Sequence, residues 1–278
     1  MIHRDPLLLK IVRIGGLSLW LLITIFPLYW ILVSSFKSPG DIASYPVQYL
    51  PLEPTLQNYI SLFASSTFGQ NMLSSLVVAT VAGLIATAIA TLSAYVLSRF
   101  TFRGRGVVVL AFLVTQMIPA FIALGPLYQM MVAFNLVDNR GGLALVYVAM
   151  CIPFSAIMLK GFFDNVPDEL DEAAMIDGCS RMVALMRIIM PVMLPGLAAT
   201  FIFNFVNCWN ELFLSVTLLN SSEKRTIPTA LNGFITSFNV EWGPLSAAAV
   251  LTVIPTMVLF GIASKWIVAG LTAGATKG

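Results

Sequence analysis

Residues 71–97 read NMLSSLVVATVAGLIATAIATLSAYVL, without a single Asp, Glu, Lys or Arg. The hydrocarbon core of a bilayer is about 30 Å thick, and roughly 20 apolar residues of α-helix cross it. This stretch is long enough to do so, and it lacks the in–out alternation of a strand in a membrane barrel. It therefore predicts a transmembrane helix.

The composition of the whole chain agrees with a membrane protein. Apolar residues make up 58% of the sequence and charged residues only 10%, whereas a soluble domain carries about 25% charge. High hydropathy argues against disorder. The 15 basic and 13 acidic residues leave a net charge of only +2, which argues against a nucleic-acid partner. The expected fold is an all-α polytopic membrane protein.

Windows of similar length and hydropathy bring the predicted transmembrane helices to six. In chain order they cover residues 14–36, 71–97, 107–132, 142–163, 191–219 and 244–271. Pro119 and Pro126 interrupt the third window. The first window is too long for a signal peptide and no small-residue cleavage site follows it, so we interpret it as a retained helix. Residues 1–278 are expected to form one transmembrane domain surrounded by lipid.

The basic residues predict the orientation, because cytoplasmic segments are enriched in Lys and Arg. With both termini in the cytoplasm, the inner segments contain Arg4, Lys10, Arg13, Arg99, Arg103, Arg105, Lys160, Arg181, Arg187, Lys265 and Lys277. The outer segments then contain Lys37, Arg140, Lys224 and Arg225. This asymmetry predicts that both termini lie in the cytoplasm, with a cytoplasmic loop at 164–190 and a cytoplasmic tail at 272–278.

The loop at 164–190 is more than a connector. It is rich in acidic residues, and Pro167 suits the first position of a helix whose positive dipole end they would complement. Gly178 suits the end of that helix, and Ser180 suits the N-cap of a second helix through Ile189. An ordered helix pair of this kind can present a surface to a partner groove, whereas lipid-surface helices are usually basic.

Residues 172–191 of this loop read EAAMIDGCSRMVALMRIIMP. This stretch resembles the EAA loop of bacterial ATP-binding-cassette import permeases, whose pattern is E-A-A, three residues, G, nine residues, I-x-L-P; Met190 replaces the usual Leu. The resemblance implies that the loop contains a coupling helix, which docks in a groove of a cytoplasmic ATPase. Its coupling residues would be Glu172, Ala173, Ala174, Asp177, Gly178, Ile188 and Pro191.

Other segments resemble the carbohydrate permeases of the maltose-permease type, and the tail resembles their shorter six-span subunit. These segments are Asn58-Tyr59, Met117-Ile118-Pro119, Trp209-Asn210-Glu211 and GLTAGATKG at 270–278. The resemblance implies the transmembrane domain of a type I importer, in the plasma or inner membrane of a bacterium or archaeon. It also implies an ATPase contact of the tail through Thr272, Gly274 and Lys277, whereas composition alone favours a frayed terminus.

The same resemblance implies three kinds of partner besides lipid: a second homologous permease, two cytoplasmic ATPase subunits and an extracytoplasmic sugar-binding protein. The chain contains no G-x-x-x-x-G-K-[ST] loop, so ATP and Mg²⁺ would bind to the ATPase and no cofactor to this chain. The chain is therefore predicted to be a transport subunit and not an enzyme.

The fifth window contains a concentrated polar set. Asn204, Asn207 and Glu211 fall on one helical face, and Asn210 borders it. Amides and a carboxylate can hydrogen-bond sugar hydroxyls, which predicts a substrate pathway. Two alternatives stay open: hydrogen bonding to a partner subunit, and capping or gating by Glu211.

The sequence predicts no metal site and no catalytic residue in this chain. The only histidine is His3, and the three cysteines have no metal-ligand spacing with it. Buried free cysteines usually act as small apolar residues, which is the role expected of Cys151, Cys179 and Cys208.

The leading functional hypothesis is the permease subunit of an ATP-driven, binding-protein-dependent importer of a di- or oligosaccharide, working by alternating access. An alternative substrate is glycerol phosphate or another polyol. A more remote alternative is an ion-coupled secondary transporter with Glu211 as the carrier, or a membrane-embedded enzyme. The outer loop at 220–243 is expected to contact the binding protein, or else to pack on its own outer surface.

Overall fold

The structure is a computed structural model that describes residues 7–65, 67–235 and 240–275. The described residues form helices and no strand, apart from one bridge between Ile235 and Val240. A π-helical turn, Leu185–Ile189, follows α9. The helices are α1 (Leu7–Ser35), α2 (Pro39–Ile42), α3 (Gln57–Ser65), α4 (Phe68–Arg99), α5 (Arg105–Met117), α6 (Ala120–Ala133), α7 (Arg140–Phe163), α8 (Glu169–Ile176), α9 (Arg181–Ala184), α10 (Met190–Val192), α11 (Leu194–Asn210), α12 (Phe213–Leu218), α13 (Ile227–Asn232) and α14 (Trp242–Ala275).

Four of the described helices are long and apolar enough to cross a bilayer on their own. They cover Leu9–Ser35, Phe68–Arg99, Arg140–Phe163 and Trp242–Ala263. Two bent pairs also qualify: α5 with α6, which meet at 99°, and Arg181–Val192 with α11, which meet at 81°. The chain is therefore an all-α polytopic membrane protein, and its described part has four spans, or six if each bent pair is one span.

The third predicted window is broken at one of its two prolines. Helix α5 ends before Ile118, whose backbone is extended (φ −82°, ψ 115°). A residue that precedes proline is disfavoured in the helical conformation, and Pro119 imposes this on Ile118. Pro126, in contrast, lies inside α6 without ending it.

The fifth predicted window, 191–219, is not one continuous helix. Helix α11 begins at Leu194 after the 81° bend and ends at Asn210, where Glu211 is extended (φ −74°, ψ 121°). The Glu211 carboxylate accepts hydrogen bonds from the backbone N–H groups of Leu214 (3.0 Å) and Ser215 (3.2 Å). A side chain that satisfies these N–H groups favours the start of a new helix, α12. The periodicity of the apolar residues carried no sign of this break.

The chain divides into two compact units, Met1–Phe68 with Leu231–Val253 and Gly69–Ala230 with Ile254–Gly278. In the first unit, most of α1 exposes apolar side chains. The side-chain amide of Asn58 closes the end of α1 by donating to the carbonyls of Ser35 (2.9 Å) and Lys37 (2.8 Å). The Lys37 side chain is buried, donates to the carbonyl of Gln48 and lies 4.5 Å from the Trp30 ring centroid.

The core of the second unit is built on close packing of α4, α7 and α11. The small residues Ala82, Ala86, Ala90 and Ala94 of α4 have no exposed surface, and their four-residue spacing places them on one helix face, where neighbouring helices can pack closely. Gly196 of α11 allows an equally close approach, because a Cβ atom there would lie 2.7 Å from the Phe162 ring of α7.

Candidate functional site

Helix α8 has one buried face and one exposed face. Asp171 and Ala174 are buried, whereas Glu172 and Ala173 are exposed. Ile176 continues the exposed face and is 85% exposed, although it is a large apolar side chain. The sequence placed both alanines on a single contact surface. In the structure only Ala173 lies on the exposed face, because Ala174 packs inward.

Four side chains hold the buried face of α8 against the end of α4, and we call Tyr95, Arg99, Asp168 and Asp171 the arginine clamp. The Arg99 guanidinium contacts Asp171 (Nε–Oδ2, 2.8 Å) and Asp168 (Nη1–Oδ1, 2.6 Å). The Tyr95 hydroxyl donates to the other oxygen of Asp171 (2.8 Å). The Arg99 and Asp171 side chains are only 5% and 8% exposed, so water screens their interaction weakly.

Arg99 also joins the clamp to the end of α7. It donates to the backbone carbonyls of Phe163 (3.2 Å) and Val166 (2.8 Å). One planar guanidinium therefore fixes the ends of α4 and α7 and the start of α8, a task for which its several rigid donors are suited. As a result, α8 cannot move without displacing the ends of two long apolar helices.

Sequence reasoning missed the arginine clamp. Arg99 was used only to predict the membrane orientation, and Tyr95 was given no role. Asp171 was interpreted as one of the acidic residues that complement the helix dipole. A usable signal did exist, because residues 161–180 contain six carboxylates and no Lys or Arg. Acidic residues that become buried need a cation from another part of the chain.

The turn after α8 forms as its residue types predict. Gly178 has φ +82°, a conformation that suits glycine at a helix C-terminus. Ser180 is the N-cap of α9, and its hydroxyl accepts from the Val183 backbone (3.4 Å). One detail differs: α8 begins at Glu169, so Pro167 is not its first residue.

The second helix of the loop extends further than predicted. It passes through the π-helical turn and ends at Val192 rather than Ile189. Among the other proposed coupling residues, Ile188 packs half-buried against the core, while Asp177 and Pro191 are exposed. Only part of the proposed set can therefore contact another protein directly.

A cleft of about 250 Å³ opens between α7 and α11 in the second unit. The Phe154 and Phe203 rings stack at its wall with centroids 4.2 Å apart. Asn207 is exposed in it and donates only to its own helix, to the carbonyl of Phe203 (3.0 Å). The lining residues are Gln116, Tyr147, Met150, Cys151, Phe154, Phe203, Asn207, Cys208 and Glu211.

The polar set of the fifth window separates in the structure. The Asn204 side chain is fully buried, accepts from Ser155 (2.8 Å) and donates to Thr87 (3.1 Å), so it joins three helices of its own chain. Asn210 is exposed but does not line the cleft. Of the three asparagines, only Asn207 is placed to contact a solute there.

Glu211 is occupied by its own chain although it borders the cleft. Its carboxylate accepts from the Tyr147 hydroxyl (2.9 Å) and from the two backbone N–H groups that begin α12. This arrangement corresponds to the capping alternative for Glu211.

At the opposite end of α7 from the clamp, Asp138 holds the loop that follows α12; we call Asp138, Ser221 and Lys224 the aspartate corner. Asp138 accepts from the Ser221 backbone (2.9 Å) and from the Lys224 ammonium (2.7 Å). The Lys224 ammonium and, next, the Ser221 hydroxyl hold the pKa of Asp138 well below its usual range. The first part of the 220–243 loop therefore packs on its own chain, while residues 236–239 lie outside the described residues.

The predicted tail contacts lie largely outside the described residues. Thr272 and Gly274 belong to α14, which continues to Ala275, but the Thr272 side chain and the whole of Lys277 lie outside the described part.

The sequence is similar to known proteins along almost its whole length. Residues 88–273 match a family described as "Binding-protein-dependent transport system inner membrane component". The chain is 35% identical over 254 residues to the diacetylchitobiose uptake system permease protein DasC of Streptomyces coelicolor, covering 91% of this chain and 92% of that one. It is 33% identical over 279 residues to the trehalose/maltose transport system permease protein MalG of Thermococcus litoralis, covering 99% of each.

The fold is also found in a solved structure. A chain in the crystal structure of a bacterial ABC transporter involved in the import of the acidic polysaccharide alginate superposes with a TM-score of 0.83. It is 22% identical in sequence, and the match covers 95% of this chain and 98% of that chain.

Proposed function

The chain belongs to the family of binding-protein-dependent transport system inner membrane components, and we propose that it is one membrane subunit of an ATP-driven importer of neutral sugars. The observation that carries this proposal is the exposed face of α8, held rigidly by the arginine clamp. In a protein with this arrangement, a partner that binds α8 outside the membrane can move α8, and the clamp can transmit the movement to the spans.

The coupling step follows from the contacts of α8. Ile176 is an exposed apolar side chain beside Glu172 and Ala173, a combination that fits a groove with an apolar floor and a basic rim. We assign that groove to a separate ATPase subunit, which would also hold ATP and Mg²⁺. When two such subunits close, α8 moves, and Arg99 transmits the movement to α4 and α7.

The proposed membrane orientation is supported by the charges near the two ends of α7. The arginine clamp and α8 would lie in the cytoplasm with both termini, and the aspartate corner on the outer side, as the distribution of Lys and Arg favours. In this orientation the cleft lies between the clamp and the outer surface. The loop around Lys224 would then face the extracytoplasmic sugar-binding protein.

The cleft supports a neutral sugar as the substrate. Stacked Phe154 and Phe203 rings offer an apolar surface, and the amides of Gln116 and Asn207 can donate to and accept from hydroxyls. No Lys or Arg lines the cleft, whereas Glu211 does, so a phosphate ester such as glycerol phosphate is disfavoured. Diacetylchitobiose and trehalose or maltose, named for two relatives, are sugars.

The complete importer would contain a second, homologous permease. A single chain leaves α1 exposing apolar residues over most of its length, and lipid or a companion permease can cover this surface. Alternating access would arise between the two permeases, with the binding protein delivering sugar from outside. Ion-coupled transport through Glu211 receives no support, because its carboxylate caps α12.

Replacement of Glu172 tests the coupling function. In proteoliposomes with the complete importer, Glu172→Lys should abolish sugar-stimulated ATP hydrolysis and uptake while the protein stays inserted and assembled. The charge reversal Glu53→Lys, at an exposed loop position, is the control and should leave both activities within about twofold. Normal stimulated hydrolysis in Glu172→Lys would contradict the proposal.

Replacement of Asn207 tests the position of the substrate. Asn207→Ala should raise the KM for sugar several-fold, because it removes one hydrogen-bonding group worth about 1 kcal/mol from the cleft. Asn210→Ala should have the smaller effect, since Asn210 does not line the cleft. An equal effect of both variants would place the sugar elsewhere.

A further inference from the structure

Two cysteines from different helices meet in the wall of the cleft, and we call them the dithiol pair. Cys151 lies on α7 and Cys208 on α11, and their Sγ atoms are 3.7 Å apart. Cys151 is half-buried and Cys208 is buried, yet both line the cleft. The chain's other cysteine, Cys179, lies in the turn after α8 and takes no part in the pair.

The separation of the two sulfur atoms suits a metal chelate. A disulfide would need them about 2.05 Å apart, so the helices or side chains would have to move. Two thiolates bound at about 2.3 Å to one tetrahedral ion stand about 3.8 Å apart, which is close to the observed 3.7 Å. Thiolates are soft ligands and select soft metal ions. We therefore propose that the dithiol pair binds a soft, thiophilic metal ion that joins α7 to α11.

The binding step is a simple exchange of protons for metal. One divalent ion bonds to both sulfur atoms and two protons leave, so affinity falls as the pH falls. Among the described residues, no group of three His, Cys, Asp or Glu side chains could hold a metal ion. The pair therefore supplies two ligands, and water or a small solute must complete the coordination. Such a site captures metal reversibly and is unlike a closed structural zinc site.

Metal bound here would stop transport, a consequence that rests on the proposed function. The ion would fix α7 to α11 and occupy the wall that carries Asn207. A sugar that needs this wall could then no longer enter the cleft. The sequence offered no hint of the site, because the two cysteines are 57 positions apart and match no metal-binding motif.

Cadmium ions provide the test in the complete importer. Cd²⁺ should produce the ultraviolet thiolate-to-cadmium absorption band and inhibit sugar uptake, and a chelator should reverse both effects. Cys151→Ser and Cys208→Ser should each lose the band and raise the half-inhibitory Cd²⁺ concentration by about tenfold or more, because one ligand has no chelate partner. Cys179→Ser is the matched control, and it should keep the band and the sensitivity of the wild type.

Two outcomes would overturn the site: absence of the band in the wild type, or equal inhibition of the wild type and both cleft variants. A band with undiminished uptake would support metal binding and contradict the position of the cleft on the transport path. Uptake measured without cadmium tests the proposed function separately.

Discussion

The arginine clamp and the aspartate corner both fix a loop through a carboxylate, but the side chains of the corner are more exposed to solvent. The Arg99 and Asp171 side chains are 5% and 8% exposed, whereas those of Lys224 and Asp138 are 38% and 24% exposed. Arg99 also holds two backbone carbonyls. Removing one partner of a buried ion pair leaves the other charge buried and unpaired, whereas more exposed ion pairs contribute little to stability.

The difference indicates what each end of the second unit does. A buried, multidentate contact keeps α8 in a fixed position relative to α4 and α7, as transmission of force requires. The half-buried lysine–aspartate pair holds a loop at the surface, where a partner can reach the loop. Substitutions at each end of the unit test this difference.

The largest effect is expected for Arg99→Ala. It leaves Asp171 buried without its cation, a loss of about 3 kcal/mol or more for a pair of this kind. Uptake should fall to background, and the melting temperature of the purified complex should drop. Arg103→Ala, at an exposed position, is the control and should change neither. Arg99→Ala with normal stability and uptake would show that the clamp is dispensable.

An intermediate effect is expected at Glu211. Glu211→Ala removes the acceptor for the Leu214 and Ser215 N–H groups and should cost about 1 kcal/mol, as loss of a cap does. Glu211→Gln keeps one acceptor oxygen and should retain most of the uptake measured in proteoliposomes. If both variants are equally inactive, the charge itself matters, which is the behaviour of an ion carrier.

The smallest effect is expected for Asp138→Asn, and it should depend on pH. The pKa of Asp138 is lowered in the folded protein, so its contribution to stability is complete above the unfolded pKa of about 4 and is lost as the pH falls towards the folded pKa. The melting temperatures of wild type and Asp138→Asn should therefore differ by a constant small amount between about pH 5 and 8 and converge in acid. High salt should reduce the difference.

The control for Asp138→Asn is Glu223→Gln, at an exposed position in the same loop. Its melting temperature should differ from that of the wild type by the same amount at every pH. A difference that grows as the pH falls would contradict the assigned cause of the pKa shift.

The sequence predicted the parts of the fold that depend on local composition. Spans, caps and the glycine turn at Gly178 follow from hydropathy, side-chain capping and backbone freedom, which act over a few residues. The buried alanines of α4 also show a local signal, because their four-residue spacing defines one helix face.

The parts that were not predicted depend on residues far apart in the chain. Arg99 meets Asp171, Asn204 joins Ser155 and Thr87, and Cys151 meets Cys208 only after the helices pack. Helical periodicity places Asn204 and Asn207 on similar faces, but it does not say which face a neighbouring helix covers.

The central claim is that a separate ATPase seats on the exposed face of α8, and a photo-crosslinker at Ile176 tests it most directly. Ile176 is 85% exposed, and Val216, which is 45% exposed near the aspartate corner, is the comparison position. In the assembled importer, the probe at 176 should cross-link to the ATPase subunit and the probe at 216 should not. A probe at 176 that cross-links only to lipid would contradict the account.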